Sequence, residues 1–141
     1  YLPDRFESGT PNMAGIYGLE YSLGFVEGCG IEALRAHELA LTKRFIDGLD
    51  GIANVRLCGT RQLDRRVGVI SLDFIGQDNA EVAFRLETEF GILTRCGLHC
   101  APNAHKTLST FPQGTVRFSL GFANTEEDVD RALEAVRRCA G

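Results

Sequence analysis

The side chains best suited to chemistry in this chain lie in residues 92–105. A short apolar run ends at Arg95, and a glycine-containing turn then leads to Cys100, which stands directly before Ala-Pro. Because proline blocks an immediate return to regular structure, the sequence predicts an accessible thiol in a loop. The thiolate is the reactive form of cysteine, and Arg95, His99 and His105 carry or can carry positive charge that favours it. Cys100 is therefore a candidate nucleophile.

Less reactive roles for Cys100 are also compatible with the sequence. A free cysteine is often a small apolar side chain of the core, although a position in a loop favours chemistry instead. Cys96 and Cys100, with His99 and His105, also form a set of zinc-ligand types. Their spacing is loose compared with the patterns of true zinc sites, so we expect no metal here.

Three segments carry a resemblance to one enzyme family. Residues 95–102 (RCGLHCAP) resemble the nucleophile segment of the cysteine desulfurases, which are pyridoxal-phosphate enzymes of the class V aminotransferase group. Residues 5–12 (RFESGTPN) resemble the segment whose Gly-Thr reaches the cofactor phosphate of the neighbouring subunit. Residues 114–126 (GTVRFSLGFANTE) resemble the stretch whose arginine binds the substrate carboxylate. The segments agree with the family in order and spacing, and together they anchor nearly the whole chain.

The resemblance implies roles for particular residues. Cys100 attacks the sulfur of cofactor-bound L-cysteine, becomes a persulfide and leaves alanine behind. Arg117 holds the substrate carboxylate, which the two-pronged guanidinium matches in geometry. Arg95 joins it at the substrate and steadies the thiolate or persulfide. Thr10 binds the cofactor phosphate.

Three of these residues also have structural interpretations. An arginine on an alternating strand, such as Arg117, is most often a solvated edge residue. Arg95 is equally suited to an ion pair that holds the loop. Thr10 has the side chain of a helix cap for the segment that starts at Pro11.

The family's cofactor lysine has no counterpart in a matching motif. In this family the cofactor is bound covalently by a lysine, stacks on a histidine and pairs its ring nitrogen with an aspartate, all upstream of the segment that residues 5–12 resemble. This chain has only Lys43 and Lys106, and neither lies in such a motif. The resemblance therefore implies that residues 1–141 are a single C-terminal small domain, that the large lysine-bearing domain is absent from this chain, and that the fragment alone is inactive.

Other functions remain open beside desulfuration. One is a non-catalytic thiol domain that accepts or relays sulfane sulfur. Another is selenocysteine lyase or class V aminotransferase activity in the parent enzyme, because a carboxylate-binding arginine serves all of these reactions. The Cys100 loop favours desulfurase or lyase over transamination. For the desulfurase, the resemblance implies a homodimer and a sulfur-acceptor protein that supplies iron-sulfur clusters or thiolated cofactors.

Composition excludes several unrelated classes. A net charge of −4, with 44% hydrophobic and 24% charged residues, is ordinary for a globular domain. The mixed charges form no basic patch for nucleic acid. No apolar run approaches the roughly 18 to 20 residues of a membrane span, and there is no signal-peptide pattern. Five cysteines without a disulfide framework indicate a reducing compartment, so we expect a cytoplasmic protein.

The elements that must position these residues follow from the periodicity of apolar side chains. Helices are predicted at residues 11–28 and 30–49, between Asp78 and Gly91, and after Thr125, which forms a capping box with Asp128. Strands are predicted at residues 55–58, 67–74, 92–95 and 115–120. This order predicts an α+β fold in which helices cover one face of a small, largely antiparallel sheet. The resemblance implies the same architecture, that of the small C-terminal domain of fold-type I pyridoxal-phosphate enzymes.

Overall fold

Helices and strands are interleaved along the chain in the computed structural model, which describes residues 1–6 and 8–141. The helices are α1 (Met13–Cys29), α2 (Ile31–Gly48), α3 (Asn79–Phe90), α4 (Pro102–Thr107) and α5 (Glu126–Ala140). The strands are β1 (Val55–Cys58), β2 (Val69–Phe74), β3 (Arg95–Gly97) and β4 (Thr115–Ser119). By its internal contacts the chain divides into two compact units, residues 1–34 and 35–141.

The first unit consists mainly of α1. Asn12 caps this helix, because its side chain accepts a hydrogen bond of 3.1 Å from the backbone N–H of Gly15. The prediction that Pro11 lies in the first turn was therefore wrong, since the helix begins after Asn12. Large apolar side chains of α1 are exposed, namely Met13, Ile16, Tyr17, Leu19, Tyr21, Leu23 and Phe25.

The second unit contains a four-stranded sheet in the order β1-β2-β4-β3, and every neighbouring pair is antiparallel. Helical side chains from α2, α3 and α5 pack on one face of it, including Phe45, Leu86 and Val136. The rings of Phe45 and Phe118 are 5.1 Å apart between centroids. The predicted α+β fold, a small antiparallel sheet with helices on one face, is confirmed.

The other face of the sheet is polar. Side chains alternate between the two faces of a strand, so the neighbours of the core residues Ile70, Leu72, Val116 and Phe118 point away from the helices. The strand register aligns these outward residues into cross-strand rows. One row runs Cys58, Ser71, Arg117 and Arg95 across all four strands, and the next pairs Arg56 with Asp73. This polar face carries two of the predicted site residues.

Most predicted boundaries agree with the structure to within two residues, and β3 is the main exception. The strand was predicted at residues 92–95 but is formed by Arg95–Gly97. The backbone N–H of Ile92 instead donates to the carbonyl of Leu86, which ties it to the end of α3. Apolar composition alone could not distinguish a residue that completes a helix end from one that pairs with a strand.

None of the helices in residues 1–6 and 8–141 is long and apolar enough to cross a membrane.

Candidate functional site

Cys100 lies in a tight turn of residues 98–101. The backbone N–H of Ala101 donates to the carbonyl of Leu98 at 2.8 Å. The two central residues, His99 and Cys100, have φ of 51° and 58°. Two consecutive positive φ angles are typical of type I′ turns, which usually need glycine, asparagine or aspartate. Side chains with a Cβ are strained there, and such strain is commonest at functional sites. The turn leaves the Cys100 side chain exposed.

The histidines near Cys100 are both anchored. His99 Nε2 donates to the carbonyl oxygen of Arg95 at 3.0 Å. His105 is buried in α4, and its Nδ1 is hydrogen-bonded to Thr110 Oγ1 at 2.8 Å. The two rings are 5.8 Å apart between centroids. These bonds fix both rings beside the turn.

Arg95 and Arg117 lie directly opposite each other on β3 and β4. Like charges in directly opposed positions destabilise a sheet. Arg117 is half-buried, and its Nε is buried without a hydrogen-bond partner. Within the part of the chain that the structure describes, neither guanidinium forms an ion pair with a carboxylate. A bound anion would offset both the repulsion and the missing hydrogen bond. A carboxylate suits this pair because it accepts two parallel bonds from a guanidinium.

The remaining cysteines differ in their surroundings. Cys58 lies in the same cross-strand row as Arg117, and partial burial raises the pKa of its thiol. Burial also raises the pKa of Cys139, whose side chain lies in the core. A raised pKa leaves less thiolate at neutral pH, so these two thiols are poorer nucleophiles. Cys29 and Cys96 are exposed, like Cys100, but neither lies in a turn.

Thr10 belongs to the first unit and is exposed, directly after Gly9, whose φ is 86°. The alternative role of Thr10 as a helix cap is excluded, because Asn12 caps α1. The Thr10 hydroxyl has no hydrogen-bond partner among residues 1–6 and 8–141, so it is available to an external group such as a phosphate oxygen.

Both lysines have partners elsewhere. Lys43 Nζ is 2.5 Å from Asp47 Oδ2 on the surface of α2. Lys106 Nζ lies 5.4 Å from the centroid of the Phe111 ring. In the described portion of the chain, no three His, Cys, Asp or Glu side chains are grouped so that they could hold a metal ion.

Sequence reasoning missed two features of this region. It did not place Arg95 opposite Arg117, because strand register is not visible in one sequence. It also missed Asn79, a fully buried polar residue at the start of α3 that bonds to Gly114 and Asp73. The only signal was a second Asx residue directly after the N-cap Asp78.

A family model and individual relatives both match the sequence of this chain. Residues 1–132 match the family model described as aminotransferase class-V. A probable cysteine desulfurase of Mycolicibacterium paratuberculosis is 41% identical over 98% of this chain and 19% of its own length. One from Pyrococcus abyssi is 37% identical over 93% of this chain and 32% of its own length.

Solved structures of two cysteine desulfurases are also similar to this chain. The apo cysteine desulfurase of Thermococcus onnurineus NA1 has a TM-score of 0.90 and 35% identity, over 98% of this chain and 34% of that one. The cysteine desulfurase CsdA of Escherichia coli has a TM-score of 0.84 and 29% identity, over 97% and 33%. The chain thus spans about a fifth to a third of the length of the relatives it matches.

Proposed function

The chain belongs to the class V aminotransferase family, and from this premise we propose that it is the C-terminal part of a pyridoxal-phosphate-dependent cysteine desulfurase. The observation that carries the proposal is the exposed Cys100 in a strained turn, on the same short segment as Arg95, whose strand partner is Arg117. A nucleophilic thiol and a carboxylate-binding arginine pair are the parts of a desulfurase site that this chain would supply, beside the cofactor.

Residues of this chain fit only one end of the cofactor. Thr10 offers a hydroxyl beside a positive-φ glycine, which suits a phosphate oxygen. Neither Lys43 nor Lys106 lies in a motif like that of the cofactor lysine; Lys43 is ion-paired on the surface of α2 and Lys106 lies over Phe111. The lysine that holds the ring would belong to the large domain of the complete enzyme.

The chemistry of this chain centres on Cys100. When bound, the cofactor withdraws electrons from the substrate and makes its carbon–sulfur bond breakable. The Cys100 thiolate attacks the substrate sulfur, a sulfur–sulfur bond forms, and the carbon–sulfur bond breaks. The electron pair of the broken bond stays with the substrate carbon. That carbon takes up a proton, and the product is released as alanine. Cys100 keeps the sulfur as a persulfide.

Arg117 and Arg95 act as the carboxylate clamp in this proposal. The two arginines are register partners on neighbouring strands, so a carboxylate bound between them would offset one of the two positive charges and lessen their repulsion. The unbonded Nε of Arg117 supplies one donor for it. Binding at the carboxylate would restrict the orientation of the substrate before the Cys100 thiolate attacks its sulfur.

The proposal extends to the partners of the complete enzyme. L-cysteine is the substrate, and a sulfur-acceptor protein takes the persulfide sulfur. The exposure of Cys100 supports this, because a persulfide must be reached by the acceptor. Thr10 would contact the phosphate of the neighbouring subunit, which makes the complete enzyme a homodimer.

A second candidate function is a thiol relay without catalysis. It is favoured by the exposed Cys100 in a chain whose two lysines both lie outside any cofactor motif. In that case the chain alone would take sulfur directly from a persulfide donor.

Mass spectrometry of peptides distinguishes the two functions. We expect the complete enzyme with pyridoxal phosphate and L-cysteine to gain one sulfur atom on the Cys100 peptide. A Cys100→Ser variant should lose this gain, while the Cys29→Ser control keeps it. Sulfur on Cys58 or Cys96 instead would contradict the assignment. Cofactor-independent transfer from a persulfide donor to the 141-residue chain would favour the relay.

A further inference from the structure

Asn79 forms the centre of a buried polar network beneath the polar face. It is fully buried, and its Oδ1 accepts from the backbone N–H of Phe74 at 3.0 Å. Its Nδ2 donates to Asp73 Oδ1 at 3.1 Å and to the carbonyl of Gly114 at 3.0 Å. A buried amide with both donors and its acceptor bonded rigidifies what it joins. Asn79 therefore joins β2 to the residue that precedes β4.

Arg56 extends this network to the sequence after α4. Its Nη2 donates to Asp73 Oδ2 at 2.8 Å and to the carbonyl of Ser109 at 3.1 Å. Ser109 has a φ of 55°, a strained value for a residue with a side chain. The side chain of Asp73 is 14% exposed and that of Arg56 is 41% exposed, so their pairing is only partly shielded from water. The network thus holds a strained backbone position at Ser109.

Gly114 links the same network to Gly97, at the start of the segment that carries Cys100. A Cβ at Gly114 would lie 2.2 Å from the carbonyl carbon and oxygen of Gly97, so the two backbones are in direct contact. Gly97 ends β3, three residues before Cys100. Asn79 bonds the Gly114 carbonyl, and Arg56 bonds the Ser109 carbonyl. We call residues 97–109 the Cys100 segment, and the network contacts it at both ends.

We propose that Arg56, Asp73 and Asn79 are positioning residues that hold the Cys100 segment in its reactive geometry. A turn with positive φ at both His99 and Cys100 persists only when its surroundings over-determine it. A segment fixed at both ends meets that condition. The inference rests on the proposed role of Cys100, since without it the network would position no nucleophile.

Hydrogen exchange tests the positioning directly on the 141-residue chain. The reporter is the amide of Ala101, which closes the turn onto Leu98. In an Arg56→Gln variant we expect this amide to exchange roughly tenfold faster, the effect of losing about one hydrogen bond. Amides of β2 and β4 should keep their rates. An unchanged rate at Ala101, or a uniform increase across the sheet, would overturn the proposal.

Arg61 provides a matched control. It forms an exposed ion pair with Asp50 at 2.8 Å, the distance of the Arg56–Asp73 pair, but is not hydrogen-bonded to the Cys100 segment. An Arg61→Gln variant should leave the Ala101 rate unchanged. An Arg56→Lys variant keeps the charge and one bond, so its rate should fall between those of wild type and Arg56→Gln. If Ala101 exchanged as fast in Arg56→Lys as in Arg56→Gln, the result would contradict positioning by the charge and hydrogen bond at residue 56.

Kinetics of the complete enzyme add a readout that a purely structural role would not move. Arg56 is not part of the carboxylate clamp, so Arg56→Gln should lower kcat for alanine formation about ten- to a hundredfold while KM for L-cysteine stays constant. Equal loss in Arg61→Gln would contradict positioning. Failure of the proposed function would be recognised by a different measurement. In that case Cys100 of the wild-type complete enzyme would carry no persulfide, whatever the exchange rate of the Ala101 amide.

Discussion

The thiols of this chain are chemically unequal because their surroundings differ. Cys100 is exposed in a turn with strained φ, whereas Cys139 lies in the core and Cys58 is half-buried on β1. Burial raises the pKa of both Cys58 and Cys139, so their thiolates form only at higher pH. Reactivity should follow this order rather than chain position.

Limited alkylation should therefore label Cys100 well before Cys58 and Cys139. At mildly acidic pH a short exposure to iodoacetamide, followed by peptide mapping, measures the order. The exposed Cys29 serves as a reference for an ordinary surface thiol, and Cys100 should also react ahead of it. In denaturant the five rates should converge. Faster labelling of Cys96 or Cys58 in the folded chain would place the nucleophile elsewhere.

Arg117 allows a second prediction at this scale, made for the complete enzyme. Lysine keeps the charge but lacks the guanidinium fork, so Arg117→Lys should weaken L-cysteine binding roughly ten- to a hundredfold. The visible spectrum of the bound cofactor without substrate should not change. Arg65→Lys, at an exposed arginine in the turn at Leu63–Arg65, is the control. Unaltered cysteine affinity in Arg117→Lys would reduce Arg117 to a residue of the sheet surface.

Among the elements, the helix ends were predicted most accurately. Asp78 caps α3 through the Ala80 N–H, and Gly91 ends it with a φ of 68°. These signals are local, since a cap and its N–H partners lie within a few residues. Strand partners are distant in sequence, which is why the register that brings Arg95 opposite Arg117 could not be predicted. The network around Asn79 depends on the same long-range pairing.

The capping box of α5 predicts how much one helix cap contributes to the stability of the fold. Thr125 Oγ1 accepts from the Asp128 N–H at 3.2 Å, and the Asp128 carboxylate accepts from the Thr125 N–H at 3.0 Å. Thr125→Ala should lower the free energy of unfolding by about 1 kcal/mol, measured by urea denaturation. Thr88→Ala makes the same chemical change at an exposed hydroxyl of α3 that donates to the Phe84 carbonyl, and it should cost less. Equal losses would mean that the cap contributes nothing specific.

The same cap predicts a dependence on pH. The Thr125 N–H bond holds the pKa of Asp128 below its usual value. A lowered folded-state pKa stabilises the fold above the unfolded pKa, and this stability is lost as pH falls through the folded pKa. The difference between wild type and Asp128→Asn should therefore shrink under acidic conditions. A difference that stays constant from neutral to strongly acid pH would contradict a charged capping carboxylate.

At the scale of the whole molecule, the exposed apolar side chains of α1 are the feature that needs a physical reason. Its apolar side chains occur all around the helix, and none of its residues is buried. A helix that is apolar on every side is typically buried. Sequence spacing predicted the helix, whereas the burial of its side chains depends on what surrounds it. The chain also covers only about a fifth to a third of its relatives.

Cofactor binding is the property in which the 141-residue chain should differ most from the complete enzyme. Thr10 can contribute to the phosphate end, but Lys43 is paired with Asp47 and Lys106 lies over Phe111. We therefore expect the chain alone to bind pyridoxal phosphate weakly or not at all. After mixing and gel filtration, the visible spectrum should show no stable band of a lysine-bound cofactor. Lys43→Arg and Lys106→Arg variants are the controls, because they retain charge but cannot bind the cofactor covalently. A stable band that either variant abolishes would mean that this chain holds its own cofactor lysine, and the assignment as a C-terminal part would then fail.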